Sequence, residues 1–209
     1  MSLEPRKATL SDIPSIIDAY FDAFGDHPIN LRVFHPPSSE SVRAFWLKSL
    51  DRDLHDPNTH FYVITDPTSS SPERVLAFSK WRQPLTPTSS PPPPRLSWPE
   101  EADVAFAEEV FGLMDKKQKE IMGDRPHWYL VMLGARKECQ RRGAGTKLLR
   151  WGLTKADEEG VEAFLTASPA GTPLYQKHGF ELLESLLIDD GKRIENFMRR
   201  LPQPSHSQP

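Results

Sequence analysis

An apolar run, His127 to Leu133 (HWYLVML), passes through a basic loop, GARKECQRRGAGT, straight into a stretch where Gly145, Leu148, Leu149, Gly152, Leu153 and Ala156 recur before Gly160. The first pattern reads as a buried strand and the second as one stripe of a helix closed by a glycine cap. A strand feeding a helix leaves few architectures open, because both elements must bury an apolar face in layers. The junction also puts Gly143 and Gly145 at a helix start, where the first amides have no intrahelical acceptor. Such amides, with the helix dipole behind them, suit an anion that must approach the backbone closely. The local charge agrees: residues 134–150 hold six basic side chains (Arg136, Lys137, Arg141, Arg142, Lys147, Arg150) and one acid, Glu138, although the whole chain carries −3.

The rest of the chain alternates in kind. Ser11 is expected to cap a helix with Ile13, Ile16, Ile17, Tyr20, Phe21 and Phe24 on one face, and a second helix is expected over 38–50. HFYVIT (60–65) and RVLAFSKW (74–81) read as strands. Ser97 and Glu100 form a Ser-x-x-Glu capping box that predicts a helix running to Met122. A short strand (161–167), a short helix (172–178) stopped by Gly179, and two strands flanking Asp189-Asp190-Gly191 complete the reading. This order predicts an α/β sandwich around a mixed sheet.

Of 21 prolines, seven lie in residues 83–99, so this segment is expected to be a surface excursion, with an SH3-type ligand as the alternative. The segment 84–126 then reads as an insertion in a single domain of residues 1–201, followed by a loose tail, 202–209. The apolar share of 37% supports one packed core. No apolar run approaches the ~20 residues of a membrane span, and the N-terminal sequence lacks a signal-peptide core. A single cysteine, Cys139, excludes an intrachain disulfide framework and a cysteine-rich metal site. It suits a reducing compartment, so a cytoplasmic location is expected, the nucleus remaining open. No metal and no membrane contact are expected, and the net charge gives no general reason to expect nucleic acid.

Which phosphate ligand would the loop take? A Walker loop needs Gly-Lys-[Ser/Thr], but the order here is Gly145-Thr146-Lys147; a dinucleotide fingerprint needs a third glycine where Leu148 stands. Gln140-x-x-Gly143-x-Gly145 between strand and helix instead resembles the pyrophosphate loop of the GNAT superfamily of acyl-CoA N-acyltransferases. After a further strand, Leu174-Tyr175-x-Lys177-x-Gly179-Phe180 resembles that superfamily's second conserved element.

The resemblance implies a GNAT-like, mostly antiparallel mixed sheet with helices on both faces, splayed central strands and a helical insertion before the fourth strand. It implies acetyl-CoA as acyl donor, held by the strand end Leu133, Gly134 and Ala135, by Gln140, Arg141, Arg142, Gly143, Ala144, Gly145 and Thr146, and by Ser168, Thr172, Tyr175 and Lys177. Ser168 stands where many relatives carry asparagine. Tyr175 would protonate the departing thiolate, which is chemically reasonable because a phenol with pKa about 10 can donate to a thiol system near 8.5. Where some relatives carry a glutamate base, this chain has Tyr129, a poor base, while His127 projects from the same strand face and is the alternative base, or a surface histidine.

An amine acceptor would attack the thioester directly in a ternary complex. A cationic amine is one hypothesis, drawn to Glu100, Glu101, Asp103, Glu108, Glu109, Asp115, Asp22 and Asp26, with His27 beside them and with Phe34, Trp81, Trp98 and Phe106 as walls or as core. A small-molecule acceptor is expected, protein lysine or N-terminal acetylation being the alternative, as is an acyl-CoA-binding module without turnover. A monomer or homodimer fits equally.

Overall fold

The computed structural model describes residues 3–68, 70–86, 89–91, 93–189 and 191–204. Asp190 of the expected hairpin turn, Pro92 and residues 205–209 of the expected tail lie outside the described residues. The elements are β1 (Arg6–Lys7), α1 (Ile13–Phe24), α2 (Pro28–Val33), α3 (Glu40–His55), β2 (Thr59–Thr65), β3 (Val75–Arg82), α4 (Val104–Met122), β4 (His127–Ala135), α5 (Ala144–Glu159), β5 (Glu162–Ala167), α6 (Thr172–Gln176), β6 (Glu181–Ile188) and β7 (Arg193–Arg200). They build one seven-stranded sheet in the order β1-β2-β3-β4-β5-β7-β6. Every pairing is antiparallel except β4 with β5.

Strand alternation sorts the two faces. Phe61, Val63 and Phe78 bury against Ile13, Ile16, Ile17 and Tyr20 of α1 and Leu50 of α3. Ile64, Ala77 and Trp81 point the other way, to Ala144, Leu148, Leu149 and Leu153 of α5. Each fully buried aliphatic side chain contributes roughly 1.5–3 kcal/mol, so these two stripes hold helices on both faces. Helix α4 covers the far end of the α1 face, where Met122 meets Phe164 and Phe197. No helix among the described residues is long and apolar enough to cross a membrane.

Three elements depart from expectation. Helix α4 starts at Val104, not at Ser97: Phe34 bridges Ala102 in extended form, and the Asp103 carboxylate accepts the Phe106 amide at 3.0 Å, so the cap moves downstream. Helix α1 follows a 3-10 turn in which Asp12, not Ser11, takes the Thr9 amide at 2.8 Å. Helix α2, six residues starting on Pro28, was not expected; a proline at the first helical position is the signal that marks it.

Gly152 is required by contact. A Cβ there would lie 2.2 Å from Cε2 of Trp81, whose indole is fully buried. Gly152→Ala is expected to cost about 1–3 kcal/mol, which a thermal melt reads as a drop of ~2–4 °C per kcal/mol in a chain of this size. An unchanged melting temperature would show that Trp81 yields freely.

Candidate active site

The loop after β4 is fastened before it reaches the helix. Arg136 donates its amide to the Leu76 carbonyl at 2.9 Å and its Nε to the Val75 carbonyl at 2.8 Å. Asp22 of α1 accepts the Lys137 amide, and Asp26 pairs with Lys137 Nζ, both at 2.7 Å. Gln140 folds back, its Nε2 donating to the Ala135 carbonyl at 3.2 Å. Beyond it the backbone turns through left-handed conformations at Arg141 (φ 60°) and Gly143 (φ 87°), and the first helical bond runs from the Lys147 amide to the Gly143 carbonyl at 3.1 Å. The amides of Arg141, Arg142, Gly143, Ala144, Gly145 and Thr146 have no protein acceptor among the described residues. Successive amides released by left-handed turns form a concave anion nest at a helix N-terminus. Arg141 and Arg142 are exposed beside it, in no ion pair among the described residues.

Glycine serves different ends along this loop. A Cβ on Gly145 would meet only Leu133 and Leu174 at 3.9 Å, ordinary contact, so packing does not demand glycine there. At Gly134 a Cβ would lie 2.6 Å from the Phe78 ring and 2.9 Å from that of Phe24, so the core under β3 demands it. Ala144 is itself core, packed with Ile64, Ala77 and Leu148.

Leu133, Gly145 and Leu174 therefore converge, which brings the two separate sequence elements together. Helix α6 is pinned through Thr172, whose hydroxyl donates to the Ser168 carbonyl at 3.0 Å and accepts from Asn196 Nδ2 of β7 at 2.9 Å. The next turn carries Tyr175, its ring edge-on to Phe180 at 5.9 Å. The Tyr175 hydroxyl has no hydrogen-bond partner among the described residues, and burial pushes the phenol up to about 12. Lys177 is exposed at the end of α6.

Between these elements the sheet opens. The pairing of β4 with β5 covers only His127–Leu130 against Glu162–Leu165. Past that point β4 pairs with β3 alone, and Thr166 and Ala167 of β5 pair with β7 alone. The expected splay is thus present, and Val131 bulges at its apex: Lys80 faces Met132 while Trp81 faces Leu130. Apart from the Ala135 carbonyl, which Gln140 takes, the edge of Val131–Ala135 offers backbone donors and acceptors to whatever fills the gap.

His127 and Tyr129 lie below the gap, in the paired part of β4. The Arg125 carbonyl can only accept, so His127 donates from Nδ1 to it at 2.8 Å, and Nε2 accepts from the Gln118 amide at 3.1 Å. Both ring nitrogens are occupied, and burial lowers the pKa further. Tyr129 packs on Phe164 at 5.8 Å beside Thr166, its phenol pushed up by burial to about 12.

The acidic residues are largely spent. Asp22 and Asp26 hold Lys137; Asp103 caps α4 and pairs with Arg32. Glu101 accepts from Ser41, and Glu108 and Asp115 engage Trp98 and Arg95. Phe34, Trp81 and Phe106 are core, and Trp98 stacks between Phe45 and Phe111. One acid was not anticipated from sequence: Glu195 on β7 is only 7% exposed and has no hydrogen-bond or ion-pair partner among the described residues. In sequence it is one acid among several in a hairpin, and only strand register distinguishes it.

Known proteins share the family and the fold. The sequence model of the family described as "Acetyltransferase (GNAT) family" matches residues 30–180. A protein named "Acetyltransferase" from Stachybotrys chartarum is 34% identical over 62 residues, which are 30% of this chain and 27% of that relative's length. Among solved structures, the chain resembles a protein described as histone acetyltransferase HPA2 and related acetyltransferase from Corynebacterium glutamicum, with TM-score 0.67, 21% identity, and 98% and 99% of the two chains covered. It also resembles a mosquito arylalkylamine N-acetyltransferase like 5b (TM-score 0.63, 13% identity, 96% and 100% covered) and Arabidopsis thaliana NAA60 in complex with a bisubstrate analogue (0.59, 14%, 96% and 98%). These likenesses show the fold.

Proposed function

The chain belongs to the GNAT acetyltransferase family, and on that premise we propose that it moves the acetyl group of acetyl-CoA to a primary amine, a small molecule, by direct attack in a ternary complex. The observation that carries this reading is that the α5 start, whose amides 141–146 have no acceptor among the described residues, meets Leu133 of β4 and Leu174, the neighbour of Tyr175, beside the open edge of β4. The diphosphate of acetyl-CoA occupies the nest, screened by Arg141 and Arg142. The pantetheine pairs with the free edge of Leu133–Ala135, and the thioester lies at the gap's apex below Tyr175. Amides of β4 polarise the thioester carbonyl and stabilise its developing oxyanion. Tyr175 gives its proton to the leaving sulfur, and its elevated pKa keeps that proton in place beforehand. Thr172 acts here by fixing α6, its hydroxyl being fully engaged.

A tie between α2 and the terminal hairpin supports a small acceptor. Arg32 of α2 and Arg193 of β7 both bind Asp189 in the β6–β7 turn, tying the first helices to the terminal hairpin. A single buried thiol, Cys139, with its pKa raised by burial, fits a cytoplasmic enzyme that does not use a cysteine nucleophile.

The test is calorimetric titration with acetyl-CoA, followed by release of free CoA over an amine panel. Gly143→Val, which forces a β-branched residue into a left-handed φ of 87° in the middle of the nest, is expected to weaken acetyl-CoA binding by at least about tenfold, a loss of roughly 1.4 kcal/mol. Tight binding with no CoA release on any amine would leave an acyl-CoA-binding module instead; unchanged binding in the variant would remove the nest from the account.

A further inference from the structure

Glu195 stands just where β7 loses its neighbour. The last β5–β7 pair is Ala167 with Asn196, so Glu195 is one position beyond it, at the mouth of the splay. Asn196 points to α6, where it holds Thr172. Adjacent strand residues face opposite ways, so Glu195 faces the α1 side, sharing it with Phe197, with Leu186 across β6, and with Thr166 and Tyr129 on the neighbouring strands. The side chain is only 7% exposed and makes no hydrogen bond or ion pair among the described residues. The charged groups around it are committed elsewhere: Arg193 and Arg32 to Asp189, Lys117 to Glu184, Arg199 to Glu162. His27, at the start of α2, is half-buried and made less basic first by burial and then by Arg193.

A buried carboxylate left without a hydrogen bond or ion pair is costly, and the charge of Arg193, itself paired with Asp189, offsets only part of that. Resting on the proposed acetyl transfer, we infer that Glu195 is the acceptor subsite: it binds the ammonium group of a cationic primary amine and takes its proton. The proton passes from nitrogen to the Glu195 carboxylate and on to solvent. The freed lone pair forms the C–N bond as the C–S bond breaks, the sulfur takes a proton from Tyr175, and the remaining excess proton on nitrogen restores the phenol. Burial pushes Glu195 up to about 7, near neutrality, where a proton acceptor works best.

The experiment compares wild type with Glu195→Gln in three readouts. Calorimetry on the CoA-loaded protein with phenethylamine, spermidine and a short peptide with a free amino terminus measures acceptor binding without turnover. Wild type is expected to bind at least one of them, and the variant at least tenfold more weakly. Turnover of that amine is expected to fall at least about a hundredfold in kcat/KM, with the acidic limb near pH 7 displaced, while acetyl-CoA affinity is unchanged. The third readout is stability. A carboxyl whose folded pKa is raised supports the fold below its unfolded value of 4.5 and loses that support as pH rises through about 7. The variant should therefore gain on wild type in melting temperature between pH 5 and pH 8.

Amine binding lost in the variant, in a wild type that turns nothing over, would uphold the subsite and sink the transferase reading. Equal amine binding and an unmoved pH profile in the variant, or a wild type that binds no amine, would overturn the subsite.

Discussion

Tyr175→Phe is expected to lower kcat by about a hundredfold or more while leaving acetyl-CoA affinity within a few-fold of wild type. The phenyl ring keeps the edge-on contact with Phe180 and the packing around Leu174, so helix α6 has no reason to move. Only the hydroxyl disappears, and it has no partner to strand among the described residues. Its loss therefore does not unbalance the fold, and the effect falls on the step in which sulfur needs a proton. General acid catalysis of this kind supplies typically 10²–10⁴-fold. Steady-state kinetics and a parallel calorimetric titration separate the two terms. A fall in KM-type binding with kcat preserved would mean that the tyrosine only shapes the thioester pocket.

Asp53→Ala is expected to be the most damaging change to stability, about 3–5 kcal/mol, because it strands a buried cation. Asp53 and Lys80 form a buried ion pair between α3 and β3, and Arg52 reaches the same carboxylate at 3.1 Å. Burial, first of all, lowers the Lys80 pKa, and Asp53 works against that shift. In the variant the ammonium loses this support. A lysine whose folded pKa is depressed gives a stability that rises with pH, since the unfolded chain then binds the extra proton more readily. The deficit of Asp53→Ala should accordingly shrink as pH is raised towards 10. The double variant Asp53→Leu with Lys80→Met, which removes both charges and keeps the volume, should recover most of the loss in chemical denaturation. If single and double variants unfold at the same denaturant concentration, the pair contributes nothing that apolar packing cannot.

The fold was legible wherever burial imposes a period. The α1 stripe, the β2 and β3 runs, and the strand–loop–helix junction each have one face that only one conformation can hide, and each appears within a residue or two of its expected limits. The α4 boundary was not legible. Ser97 and Asp103 are equally good caps in isolation, and the choice is made by a partner far away in sequence, Phe34. In the same way the left-handed turn into α5, with its run of free amides, could be read from Gly143 and Gly145, because glycines at a helix start mark it. The place where the sheet opens could not. His127 and Tyr129 share a strand face with the gap in sequence terms, but the strands begin to diverge only above them, past Leu130, which depends on pairing with β5. The acidic residues illustrate the same limit: composition counts charges, and only coordinates reveal that Asp22 is taken by a backbone amide and that Asp26, Asp103 and Asp115 hold cations, whereas Glu195 holds none among the described residues.

Lys137 couples two walls that would otherwise move apart. Through Asp22 and Asp26 it joins the end of α1 to the turn whose amides are proposed to receive the diphosphate. Ordering that turn also orders the helix end leading into α2, and α2 in turn is anchored to the terminal hairpin by Arg32. On the proposed reading, a donor seated on that turn would brace the α1–α2 corner before an acceptor arrives, a mechanical bias towards compulsory-order kinetics.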